Sequence, residues 1–319
     1  MKRFKNIVYI VKDDLQDSAS LARAVLLAKN NQANLTLLKI QPKLSSSVYS
    51  EILGASKEDI ERAVLERSEE SLTQLIDSID LPTTVTCIVK IGKTYEETIR
   101  LVQTHQFDLV IKEAQNLTWI ERFFSSDDIN LLRLCPTPVW LIKANTQHEY
   151  KNIIAAVSFD GDDTVYPALN NTLIKLASSM TLLESASLHV ANVYDAANAG
   201  FIGLWAEDPD EVANQLYSAE FSISNDKVTA LLADLKQALG EQTYSYLAAK
   251  THLIQGEPAQ ELAKLAKIVE ADLVVIGTTA KEGVVGALLG NTVETLLSQL
   301  DCSVLAVKPD GFVTPLVFN

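Results

Sequence analysis

A chain of 319 residues, 47% of them hydrophobic, is long enough for two domains of ordinary size, each burying a core of its own. A formal charge of −14 and a pI near 4.8 set the surface against nucleic-acid phosphates and anionic lipid, which excludes the usual electrostatic routes to DNA, RNA or a membrane surface. No apolar run approaches the ~20 residues that cross a bilayer, and the basic start reaches Lys12-Asp13-Asp14 too soon for a signal peptide, so the expectation is a soluble, cytoplasmic protein.

In chain order, Lys5–Val11 is a continuous apolar run, as in a parallel strand covered on both faces. Ser18–Asn30 has helical spacing, Asn34–Ile40 is a second strand, and Lys57–Ile79 is a long charged helix with an apolar stripe. Strands at Thr83–Ile91, Asp108–Ile111 and Pro138–Lys143 alternate with helices at Glu96–Thr104 and around Ile129–Leu134. Strand–helix alternation predicts a parallel α/β sheet.

The second half repeats the first. Lys5–Asp14 matches Lys151–Asp160, Phe107–Ala114 matches Ala271–Thr278, and Leu131–Lys143 matches Leu296–Lys308. The second copy is longer by about twenty residues between its first and fourth strands. The expected place of that insertion is Tyr194–Leu216, rich in Ala, Gly, Asn and Asp, with the next helix at about Asp226–Leu239 and a strand at about Tyr246–Ile254. The domains are expected at residues 1–145 and 150–310, followed by an apolar tail at 311–319 that docks on the body of the protein.

Asp272–Lys308 concentrates the candidate chemistry. A short strand ends at Gly277, read as a turn with positive φ, and Gly290-Asn291-Thr292 opens a helix. Free N–H groups and the helix dipole at such a terminus favour an anion. The first half lacks these glycines: the residue taken to match Gly277 is Lys112, and residues 112–134 contain no glycine, so that half reads as structural and degenerate, with Lys112 able to attract an anion only as a point charge. Four histidines share no ligand spacing, and the three cysteines form neither a disulfide framework nor a metal motif. No nucleophile or general base stands out, so no catalytic residue is assigned.

Two such units, each closing on a pattern like DLVVIG…GNTVE…LLAVK, resemble the universal stress protein family, in its tandem two-domain form. The resemblance implies two doubly wound parallel sheets of strand order 3-2-1-4-5, of the adenine nucleotide alpha hydrolase-like kind. It also implies a ligand site across the ends of strands one and four, as the switch-point rule expects. The nucleotide motif of the family is Gly-x2-Gly-x9-Gly-Ser/Thr. Gly277 and Gly290 fit it, while Ala280 and Asn291 depart from it and Thr292 follows directly. The acidic residue at the end of strand one falls on Asp160, and Val193 and Thr278 complete the implied ligand-binding set.

The resemblance thus implies a non-enzymatic stress-response protein that binds ATP or AMP in its second domain, with magnesium arriving only with the nucleotide and no metal site of its own. It further implies an intramolecular pseudo-dimer through the fifth strands, with room for a homodimer of chains. Two other readings stay open. One is a carrier of an apolar or lipid-like metabolite that uses Phe201, Ile202, Leu204 and Trp205, and the other is a ligand-free scaffold for protein partners.

Overall fold

The computed structural model describes residues 4–12, 19–43, 54–114, 126–144, 149–159, 166–194, 208–278 and 291–318. Asp160, Ala280, Gly290 and the Phe201–Trp205 segment lie outside them. The chain divides into two compact units, one of residues 3–147 with 313–319, the other centred on 148–312.

In the first unit the described elements run β1 (Asn6–Ile10), α1 (Ala19–Asn31), β2 (Asn34–Gln41), α2 (Lys57–Asp77), β3 (Val85–Ile91), α3 (Thr94–His105), β4 (Leu109–Glu113), α4 (Ser126–Leu134) and β5 (Val139–Ile142). The strands are parallel in the order β3-β2-β1-β4-β5. β1, β4 and β5 are buried almost throughout, which is why they read as unbroken Val, Ile and Leu runs. Residues 313–319 pack with this unit. Thr314 is buried, and the Phe318 ring lies 5.0 Å from the Arg100 guanidinium of α3. Arg100 is itself held by two bonds to Glu97, at 2.9 and 3.0 Å.

The second unit repeats the plan: β6 (Asn152–Val157), α5 (Tyr166–Glu184), β7 (Ser187–Tyr194), α6 (Pro209–Leu239), α7 (Glu241–Tyr246), β8 (Lys250–Gln255), α8 (Pro258–Ile268), β9 (Leu273–Gly277), α9 (Asn291–Leu297) and β10 (Ser303–Val307). Its strands, also parallel, run β8-β7-β6-β9-β10, so both units have the order 3-2-1-4-5 expected from the sequence. The carboxyl ends of the first and fourth strands lie side by side in each, at the switch point.

One element departs strongly from expectation. α6 starts at Pro209, well before Asp226, and takes up the end of the presumed insertion. The cause is a complete helix-start signal. The Asp208 carboxylate caps the chain by accepting from Glu211 N, Pro209 supplies a fixed φ without an orphaned N–H, and Asp210 and Glu211 complement the dipole. The helix stops at Gly240, whose φ of 78° suits glycine, and α7 follows directly. β8 therefore starts at Lys250, later than the expected Tyr246, after a left-handed Ala248. At 31 residues α6 spans about 46 Å, against about 26 Å for the 8-residue β7 it packs on. Its buried stripe (Ser224, Val228, Leu231, Leu235) covers the sheet, and none of its described residues before Ser224 is buried. The equivalent α2 has 21 residues.

Candidate functional site

The strand registers fix the correspondence between the two switch points. Ile7 pairs with Leu109 and Ile153 with Leu273, while Ala114 N donates to Ile142 O and Thr278 N to Val307 O, each at 2.8 Å. Glu113, not Lys112, therefore matches Gly277, and Lys112 matches Ile276. The assignment of Lys112 from sequence was one residue out of step.

In the first unit this corner is filled by its own side chains. Glu113 accepts from Lys12 Nζ at 2.6 Å and from Ser20 Oγ of α1 at 2.7 Å, and Ser20 lies 2.7 Å from the Tyr9 hydroxyl. On the other face Lys112, 4% exposed, puts its ammonium 2.5 Å from Asp128 of α4, which is fully buried. Such a pair is held by desolvated charge and breaks at high cost if one partner goes. Lys112 is thus no free point charge for an anion; its ammonium is paired with Asp128.

In the second unit the same places carry Ile276, Gly277 and Val293. Gly277 is the last residue of β9 and is not in the left-handed region, so it is not the positive-φ turn expected. A Cβ there would stand 2.7 Å from Leu169 Cδ2 and 3.5 Å from Leu173 Cδ1. The missing side chain lets α5 close on the sheet. The first unit solves the same contact with Glu113 against the small Ser20. Thr278 is buried, with both its N–H and its hydroxyl directed at Val307 O, at 2.8 and 3.3 Å. Val193 is buried in β7 and alternates onto the face opposite Asn192 and Tyr194. Asn291 opens α9 and Thr292 is exposed in its first turn. The fold thus brings Gly277 and Thr278 beside the end of β6, directs Thr278 into the sheet, and points Val193 the other way.

Two residues missed in the sequence hold the chain just before Asp160. Asn170 of α5 accepts from Ser158 N at 3.2 Å and donates to Ser158 O at 2.7 Å, and Asn192 Nδ2 donates to Val157 O at 3.1 Å. No local pattern marks them, because each acts across elements.

His189 and His252, on neighbouring strands, form a pair. His189 is 3% exposed; its Nδ1 lies 3.0 Å from His252 Nε2, its Nε2 lies 3.3 Å from Asn152 Oδ1, and the two rings stack. With Asn152 Oδ1 accepting, His189 carries its proton on Nε2 and accepts on Nδ1 from His252. Burial, then His252 and Lys250, bring His189 down to about 4; burial and Lys250 lower His252. Both rings are neutral near pH 7. Among the described residues no group of three or more His, Cys, Asp or Glu is placed to hold a metal ion, and no helix is long and apolar enough to cross a membrane.

Comparison with known proteins agrees with the tandem plan. The chain is 28% identical to the Universal stress protein E homolog of Haemophilus influenzae over 318 residues, 96% of this chain and 98% of that one. It is 30% identical to Universal stress protein E of Salmonella typhi over 226 residues, 70% of this chain and 68% of that protein. A Pseudomonas aeruginosa protein of unknown function has the same fold, with a TM-score of 0.68 at 21% identity over 96% of this chain and 93% of that one. A universal stress protein from Archaeoglobus fulgidus gives 0.61 at 14%, over 95% and 98%. The Universal stress protein family pattern matches twice, at residues 3–143 and 149–308. The chain belongs to the universal stress protein family, as a tandem of two such domains.

Proposed function

We propose that the chain is a non-enzymatic, cytoplasmic stress-response protein whose second unit takes one nucleotide-like ligand of the ATP or AMP class, while its first unit is structural. The observation that carries this is the contrast between the two switch points. Where the first unit places Lys112, Glu113 and Asp128 and satisfies them internally, the second has Ile276, Gly277 and Val293. The second corner is thus free of the charged side chains that occupy the first. Among the described residues, Asn170 and Asn192 would fix the strand end just before Asp160, whose carboxylate suits ribose hydroxyls or an adenine amino group, and the start of α9 would lie nearest the phosphates. A bound nucleotide would bring magnesium with it. The acidic net charge argues against nucleic-acid partners.

Isothermal titration with ATP, together with mass spectrometry of small molecules released from the purified chain, tests the reading. One site per chain is expected, with hydrolysis slow. Two equivalent sites would refute the structural role of the first unit. Release of an apolar metabolite and no response to ATP would refute the ligand class.

A further inference from the structure

α6 brings an aromatic group to the mouth of this corner. Tyr194, the last residue of β7, meets Phe221 edge to face, with centroids 6.1 Å apart and planes at 68°. Phe221 is nevertheless 46% exposed. Phe159, two residues past the end of β6, turns to the same side, because Lys227 of α6 puts its ammonium 5.7 Å from the centre of that ring. One step deeper on the same face of β7 stands Asn192, 2% exposed. Its amide nitrogen is used on Val157 O, and its Oδ1 is buried without a partner among the described residues. A buried carbonyl without a donor is costly to keep, and such atoms need an explanation.

We propose that Phe221 and Phe159 form the wall against which the ligand's aromatic base lies, and that Asn192 Oδ1 accepts an N–H from the edge of that base. The inference rests on the nucleotide reading above and names the part of the ligand recognised here: a purine carrying an exocyclic amino group. Phe221 offers a ring face at the rim, Asn192 an acceptor at the floor, and Lys227 a positive charge suited to an anionic nucleotide. Tyr194, directly above Asn192, is the side chain that swings aside for the base to reach it.

The test is isothermal titration of the full chain with ATP and with the triphosphate of purine riboside, which lacks the amino group. The wild type should bind ATP at one site and the amino-less analogue on the order of tenfold more weakly. Phe221→Ala, a change at an exposed position, should leave the circular dichroism unchanged and weaken both nucleotides on the order of tenfold. Asn192→Leu should remove the preference for ATP. Equal affinities for the two nucleotides in the wild type, or ATP binding unaltered by Phe221→Ala, would overturn the inference and leave the nucleotide reading standing. Binding of neither nucleotide by the wild type would overturn both.

Discussion

The Lys112–Asp128 pair can be tested with the chain's own second half as the template. Asp128 stands three residues before Leu131, as Val293 stands three before Leu296, and Lys112 matches Ile276, so the sister unit shows an apolar solution for the same contact. Asp128→Val alone strands an ammonium that is 5% exposed, and a broken buried pair costs about 3–5 kcal/mol. In a domain of this size that lowers the melting temperature of the first unit by about 10 °C. Lys112→Ile alone leaves a fully buried carboxylate and should cost a similar amount. The double change copies the sister unit and should recover most of the loss, ending within about 1–2 kcal/mol of the wild type or above it. Urea unfolding followed by tryptophan fluorescence, run as a double-mutant cycle, measures the coupling. If the two losses simply add, the pair is not what holds β4 to α4, and the argument fails.

Two further outcomes follow from the second unit. Gly277→Ala sets a Cβ against buried Leu169 and should cost about 1–3 kcal/mol, with Leu169→Ala in the same chain recovering part of it; a thermal melt of the pair that shows no recovery would remove the packing role given to this glycine. The histidine pair sets a pH dependence. The unfolded chain takes up protons near the ordinary 6.5, whereas folded His189 stays neutral down to about 4. The folded state therefore binds fewer protons in between, and stability should fall as pH drops from 6.5 towards 4 and then level off. Urea midpoints across that range should show a flatter slope in His189→Gln, and an unchanged slope would place the acid sensitivity elsewhere.

The architecture was legible because buried parallel strands leave long apolar runs and because the runs occur twice. What escaped the reading has identifiable physical causes. The start of α6 was written in Asp208-Pro209-Asp210-Glu211, but the small-residue, polar composition of Tyr194–Leu216 suggested a loop, so the helix was expected only from about Asp226. Lys112 was set opposite Gly277 by a slip of one residue: the match of Phe107–Ala114 with Ala271–Thr278 already sets Glu113 there, and the strand register agrees. Gly277 looked like a turn because a glycine closing an apolar run usually is one. Its reason lies instead on a helix about a hundred residues earlier in the chain, in Leu169. Asn170 and Asn192 had no local signature at all. Their partners are Ser158 and Val157, reached across elements, and only the folded chain brings them together. The remaining residues of the candidate site, Asp160, Ala280 and Gly290, lie outside the described residues.

The placement of residues 313–319 with the first unit has a consequence for synthesis. A domain at the start of a chain ordinarily folds as a unit while the rest is still being made. Here the ring that lies on Arg100 belongs to Phe318, so α3 of the first domain lacks that partner until the second domain has been synthesised as well. A chain cut between residues 308 and 318 would keep both family repeats whole in sequence, yet the domain to lose a contact would be the one translated first.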